Sequence, residues 1–393
     1  MICRYDFSNE TDSDFAVISD MLSYISPDIQ KIEVSGREIG VSCFDEKEQD
    51  VRSKIDRLLE MIHGGKITDR ESNIKTLVDH TDRTPLNTET VFPELVSRGD
   101  VMEICKGVYA YSGLFLKVFR YFDKKIREFA FQNFEDVREY EFPVLYPIDN
   151  FEKGRYFETF PHYIMFQTVM KNDLDVLDRF AAFGTKADGI FSEMKQPVNV
   201  LRNAACVPVY SIFENTIVDE KKPLCFMIAG KCFRNEGDNV LELARLNEFY
   251  MLEYVFLGTP QQCSERIESS RALWQFWADT FQVNVKLDTA NDSFFASNYK
   301  KLRLFQMLGD SKREFKWKIP ARDLYIACAS ANLHRTHFSK PYAIKSSNGA
   351  FCYTACFAFG IERLTYALLS QKGLDVSKWD QQTRDEIASY VDL

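Results

Sequence analysis

Nowhere in these 393 residues is there an uncharged apolar run of about 18 residues, the length a bilayer-spanning helix needs, so no membrane span is expected. The start, Met1-Ile2-Cys3-Arg4-Tyr5-Asp6, turns acidic before a signal-peptide core can build, and a cytoplasmic location is expected. A surplus of positive charge is also missing. The formal net charge of −9 excludes a general nucleic-acid coat and confines any such contact to a local basic patch. The 10 cysteines lack the dense, even spacing of a small secreted scaffold, so they are expected to be reduced, with a subset available for metal. No internal repeat or low-complexity tract is present. What is present is apolar material, 45% of the chain against 27% charged, enough for one large core or two domains. The 33 phenylalanines fit core packing and strand propensity.

The texture changes along the chain. A strand-like start over residues 2–7 leads to a helix over 12–24, where Phe15, Ile18, Met21 and Leu22 repeat at helical spacing. Residues 32–44 alternate and break at Gly36 and Gly40, as a hairpin does, before a second helix carrying Val51, Ile55, Leu58, Leu59 and Ile62. Residues 66–93 are polar, with Pro85 and Pro93, and have linker composition. A small N-terminal α/β domain with its linker is therefore expected over residues 1–95, and a larger domain over 96–393. In the larger domain, Leu114, Val118, Phe119, Phe122, Ile126 and Phe129 form one apolar helical stripe, followed by a strand over 140–145 with Pro143 near its start.

The most informative segment is Lys231-Cys232-Phe233-Arg234-Asn235-Glu236-Gly237, followed from Arg245 by Arg245-Leu246-Asn247-Glu248-Phe249. Two strand-like runs, 225–233 and 247–257, flank a polar loop containing Gly237, Asp238 and Asn239, which predicts a hairpin. Arg234 and Glu236 then point to one side, and Phe249 reaches the same side from the partner strand. A phosphate, a base edge and a base face could all be held there.

Arg-x-Glu, a loop, then Arg-x-x-x-Phe resembles motif 2 of the class II aminoacyl-tRNA synthetases, and Phe359-Gly360-Ile361-Glu362-Arg363-Leu364 resembles their motif 3. The helix and strand ending near Pro143 correspond to motif 1, which in that class builds a homodimer. The resemblance implies an α+β class II synthetase fold, an antiparallel sheet flanked by helices. It implies that Arg234 contacts the α-phosphate of ATP, Glu236 the adenine edge, and that Phe249 stacks on the ring. Arg363 covers the other face, and Arg245 or Arg363 holds the γ-phosphate. A guanidinium fork suits this chemistry, because attack on the α-phosphate spreads negative charge over equatorial oxygens. Mg²⁺ is expected to bridge the phosphates.

Cys206, Glu253 and Cys356 form a second constellation. Two thiolates and a carboxylate, expected from a strand lead-in, the motif 2 strand and the strand before motif 3, would give zinc three ligands and leave a fourth position for a substrate amine. This arrangement is similar to that of the archaeal-type seryl-tRNA synthetases and of their stand-alone relatives, the bacterial amino acid:carrier protein ligases. Asn291-Asp292-Ser293-Phe294-Phe295, Ser330-Ala331-Asn332-Leu333-His334 with His337-Phe338, and Phe160-Pro161-His162 are similar to further stretches of the stand-alone ligases. The likeness covers residues 100–375 and implies that Asp292 and Asn332 bind substrate, the Asp292 carboxylate by pairing with the substrate's ammonium group. Ser293 replaces a proline of that family, and Ile326 stands where the synthetases often carry a metal-binding glutamate. His334 and His337 are expected to be structural or phosphate contacts, because adenylation needs no general base. The other seven cysteines are assigned to packing.

The expected activity is ATP-dependent activation of a small amino acid as its adenylate, with transfer to the phosphopantetheine thiol of a carrier protein, by a homodimer. Two alternatives stand beside it: a zinc-dependent seryl-type tRNA synthetase, and a catalytically silent synthetase-like regulator. Residues 1–95 show neither a long heptad pattern nor a basic surplus, so tRNA is not the expected partner. The silent regulator is disfavoured because Arg234, Glu236, Arg245, Phe249 and Arg363 are all present.

Overall fold

The computed structural model describes residues 2–63, 74–186, 188–290 and 312–393. Its largest sheet is built from β1 (Thr76–His80), β2 (Arg138–Tyr140), β3 (Leu224–Phe233), β4 (Glu248–Gly258), β5 (Val285–Thr289), β6 (Lys312–Ile319), β7 (Leu324–Arg335) and β8 (Tyr353–Gly360). The spatial order is β1-β5-β6-β7-β8-β4-β3-β2. Every pairing is antiparallel except that of β2 with β3, which is parallel, so the expected antiparallel sheet is a mixed one at this edge.

Side-chain alternation along the central strands divides the molecule into two apolar layers. On β4, Leu252, Tyr254 and Phe256 face one layer, while Met251, Val255 and Leu257 face the other. The longest helices packed on the first layer are α1 (Gly113–Asn133), α2 (Pro260–Phe281) and α3 (Ile361–Lys372), among the described residues. The expected stripe lies on α1, with Val118, Phe119, Phe122 and Ile126 buried and Leu114 and Phe129 packed at its margin. Helix α2 starts at a capping box, Thr259 with Gln262, followed by Pro260 at its first turn, and buries Trp274 and Trp277 against the sheet. The second layer is thinner and leaves a cavity.

Residues 2–63 form a separate cluster with its own core of Ile18, Met21, Leu22, Ile39, Val41, Ile55 and Leu58. The strands Ile2–Asp6, Ile29–Ser35 and Glu38–Cys43 pair antiparallel, and the helices Asp12–Leu22 and Glu48–His63 cover them. The hairpin turns at Gly36, whose φ of +60° suits glycine, whereas Gly40 lies inside a strand and does not break it. No described helix is long and apolar enough to cross a membrane.

Three local expectations are corrected. The strand foreseen over residues 140–145 is split into Arg138–Tyr140 and Leu145–Pro147, with Pro143, which lacks an N–H for a ladder, in the gap. The stretch with linker composition contains β1, the outer strand of the large sheet, paired with β5. A boundary near residue 95 leaves this strand of the large sheet on its N-terminal side, and we propose a small unit whose described part ends at His63. Cys105, assigned to packing with the other non-ligand cysteines, is exposed.

Candidate active site

The expected hairpin is β3 with β4, in a register that sets Cys232 opposite Phe249 and Ile228 opposite Glu253. Gly230 makes room beside it. Its φ is +138°, and an added Cβ would sit 2.2 Å from Arg202 Nη2. The buried Arg202 guanidinium uses that space to donate to the carbonyls of Lys231 (2.9 Å), Phe142 (3.1 Å) and Ala229 (3.4 Å). Those bonds fasten the segment that leads to Cys206 onto β3.

Cys206 is not on a strand lead-in as expected. It precedes a short helix, Val207–Ile212, and reaches the sheet from that helix's first turn. Glu253 on β4 and Cys356 on β8 come from adjacent strands: Cys356 pairs with Val255 and Glu253 with Ala358, so the two side chains are diagonal neighbours on one face. The candidate ligand atoms of Cys206, Glu253 and Cys356 all lie within 4.8 Å of one another, and all three residues are buried. Burial, then the negative charge of Cys356, pushes the Glu253 carboxyl up to about 8. Its Oε2 is buried and has no hydrogen-bond partner among the described residues. The Cys206 thiol bonds to Cys356, which lowers the Cys356 thiol and raises that of Cys206. Asn332 Nδ2 (3.5 Å) and His334 Nε2 (3.5 Å) also reach the Cys356 sulfur, and His334 Nδ1 lies 3.3 Å from the Tyr210 hydroxyl. Two sulfurs and a carboxylate oxygen that lacks a partner suit zinc and would leave one coordination position for a further ligand.

The same cavity, about 580 Å³, is lined by Cys206, Glu253 and Cys356 and also by Arg234, Glu236, Phe249, Asn332 and Arg363. Arg234 donates from Nε to the Asn203 carbonyl (3.1 Å), and its guanidinium carbon lies 5.1 Å from the Phe249 ring centre and 5.6 Å from that of Tyr163. Arg363 is tied by Nε to the Ala244 carbonyl (2.6 Å) and by Nη1 to the Ala327 carbonyl (3.1 Å). Burial and the nearby Arg245 charge lower its otherwise very high pKa. Glu236 is buried, and burial raises its carboxyl. Among the described residues, Glu236 Oε2 and Asn203 Oδ1 are, like Glu253 Oε2, buried acceptors with no hydrogen-bond donor. Three orphan acceptors in one cavity call for donors from a ligand, such as an ammonium or an exocyclic amine.

Arg245 departs from expectation. It does not line the cavity; Nη1 and Nη2 are held by Asp20 of the small unit at 2.8 and 3.1 Å, and Nη1 lies 3.7 Å from Glu236 Oε2. Asp292 and Ser293 lie outside the described residues. Ile326 is buried in the helix-side layer. Asn203, Tyr163, Glu314 and Asp20 were missed from sequence; Asn203, three residues before a candidate ligand, and Tyr163, next to Phe160-Pro161-His162, had neighbours that could have drawn attention to them.

Residues 192–372 match the family model "tRNA synthetase class II core domain (G, H, P, S and T)". The chain is 31% identical over 286 residues to amino acid–(acyl-carrier-protein) ligase 1 of Bradyrhizobium diazoefficiens, covering 71% of this chain and 84% of that one. It is 26% identical over 298 residues to the type-2 serine–tRNA ligase of Methanocaldococcus jannaschii, where the match covers 73% of this chain but only 57% of the relative. Among solved structures, the SerRS of M. kandleri in complex with A. aeolicus tRNASec superposes with a TM-score of 0.70 at 20% identity, covering 99% of this chain and 77% of that one.

Proposed function

The chain belongs to the family of class II synthetase-type ligases that includes the amino acid–(acyl-carrier-protein) ligases, and from that premise we propose that it activates a small amino acid as its adenylate and loads it onto the phosphopantetheine thiol of a carrier protein. At the coarser level it is an ATP-dependent amino acid ligase. The observation that carries the finer reading is a single cavity shared by two guanidinium groups, three orphan acceptors and a Cys-Glu-Cys cluster.

In this reading the amino acid carboxylate attacks the α-phosphorus of ATP and pyrophosphate leaves. No base is required, since the carboxylate is already the nucleophile. Arg234, stiffened by Asn203 and flanked by two rings, offers its terminal nitrogens to the oxygens on which charge accumulates. Glu236 Oε2 accepts from the adenine amine, and Phe249 and Arg363 bracket the base. Cys206, Glu253 and Cys356 would hold zinc, which supplies a Lewis-acid position for the substrate amine. Asn332 and His334 keep the Cys356 sulfur in place for that role. An alcohol or acid of the same shape would leave the amine position unmet and be rejected. Mg²⁺ would neutralise the phosphates, with Glu314 and Glu362 as the remaining carboxylates of the cavity wall. Together these groups act by placing the oxygen and phosphorus in line.

The test is amino-acid-dependent exchange of labelled pyrophosphate into ATP across a panel of small amino acids, followed by loading assays. Exchange with one small amino acid, and loading of a phosphopantetheinylated carrier protein but not of total tRNA, is the expected result. Absence of exchange sinks the reading. Charging of tRNA instead would favour the serine–tRNA ligase reading, which the likeness of nearly the whole chain to a SerRS supports. We propose a homodimer and a cytoplasmic location on the same family grounds.

A further inference from the structure

The small unit touches the nucleotide end of the cavity through one surface. Its first helix, Asp12–Leu22, ends against the loop between β3 and β4. Asp20, in the last turn of that helix, accepts from both terminal nitrogens of Arg245. Asn239 Nδ2 donates to the Asp20 carbonyl (2.9 Å), Ser23 Oγ to Asn239 Oδ1 (3.0 Å), and the Tyr24 hydroxyl to the Asn235 carbonyl (2.9 Å). The Tyr24 ring lies 4.8 Å from that of His162. The approach is close: an added Cβ on Gly237 would stand 3.3 Å from the Tyr24 ring.

The Asp20–Arg245 pair has a specific chemical form. Two carboxylate oxygens on the two terminal nitrogens of a guanidinium is the fork arrangement that phosphate oxygens also adopt. Arg245 is thereby held by the protein's own anion at the rim, while Arg234 and Arg363 face the cavity. Arg245 still borders the cavity through Glu236, 3.7 Å away, so a short side-chain rearrangement would bring it to a ligand bound there.

We propose that Asp20 stands in for a terminal phosphate: a nucleoside triphosphate and Asp20 compete for Arg245, and triphosphate binding loosens the docking of the small unit on the β3–β4 loop. This rests on the nucleotide reading above and goes beyond it by assigning residues 1–63 a role in sensing the nucleotide. Because coupling between two binding equilibria is reciprocal, docking weakens triphosphate binding by the factor by which triphosphate weakens docking, so a variant with weaker docking gains triphosphate affinity. A nucleoside monophosphate does not reach Arg245 and is not coupled.

The experiment is calorimetric titration of the full chain and two variants with a non-hydrolysable ATP analogue and, separately, with AMP. Asp20→Asn removes the competing charge and is expected to bind the analogue about two- to fivefold tighter, the range of a partly exposed ion pair, with AMP affinity unchanged. Tyr24→Phe, which weakens docking without altering charge, shifts analogue affinity the same way by a smaller factor. Amide exchange in the helix Asp12–Leu22 of the wild-type chain should be faster with the analogue than with AMP. Unchanged or weaker analogue binding by Asp20→Asn, or an equal gain for AMP, overturns the competition; no effect of Tyr24→Phe together with unaltered helix exchange overturns the undocking. A wild-type chain that binds neither nucleotide refutes the nucleotide reading itself, which is a separate result.

Discussion

The two ends of the cavity are built differently. At the candidate metal end, two of the three candidate ligands sit on adjacent central strands, β4 and β8, paired along their length and backed by the helix-side layer. At the nucleotide end, Glu236 and Arg245 sit on the loop between β3 and β4, and Arg245 takes its closest ionic partner from a different structural unit. Strand positions cannot move without breaking a ladder; loop positions can exchange partners at little cost. The contrast suits the proposed chemistry. An amine must be recognised by fixed geometry, whereas a nucleotide must enter as a triphosphate and leave as pyrophosphate and a monophosphate.

The contrast is broken most severely at its rigid end. Cys206→Ser is expected to abolish zinc retention and pyrophosphate exchange together, because a tight three-ligand site does not survive loss of a thiolate. Elemental analysis of the isolated variant alongside the exchange assay checks this; normal turnover without metal contradicts the assignment. Next in size is Arg234→Ala, expected to lower exchange by about 10²–10³-fold through lost transition-state stabilisation. Its melting curve should stay near wild type, since Arg234 lines a cavity and belongs to no core layer. A cooperative loss of folding would show that Arg234 is structural.

A smaller effect sharpens the metal end. His334→Ala removes a group lying 3.5 Å from the Cys356 sulfur and should weaken zinc binding by about 10–100-fold, measured by chelator competition. Equal chelator resistance would leave His334 with a packing role alone. The smallest effect is on pH dependence. The Glu253 carboxyl is raised from 4.5 to about 8 in the metal-free fold, so the folded state binds a proton that the unfolded chain has lost. This contribution to stability is full below about pH 4.5 and is lost as pH rises towards 8. Urea melts of metal-free protein should therefore show a fall in stability across that window, flattened in Glu253→Gln and reversed by zinc. A profile identical in wild type and variant would remove Glu253 as its source.

Much of the fold could be read from local pattern. The stripe on α1, the hairpin of β3 and β4 and the helix Glu48–His63 follow from periodicity, which depends only on neighbours in the chain. The split at Pro143 and the strand Thr76–His80 could not be read so. Thr76–His80 is polar and short, and becomes a strand because β5 offers it a free ladder. Cys206, a candidate ligand, was placed on the wrong kind of element, since the short helix Val207–Ile212 carries too few turns for a periodic signal.

What the amino-acid sequence determined by itself was the inventory: two basic-acidic motifs in the right order, three soft or anionic residues fit for zinc, and the alternation that sorts β4 into two faces. What only the tertiary structure decided was adjacency. Cys206, Glu253 and Cys356 meet because two strands pair and Arg202 fastens a third segment across Gly230. Asp20 meets Arg245 because a helix docks on a distant loop, a contact that no spacing encodes, since chain separation says nothing of distance once surfaces have been buried.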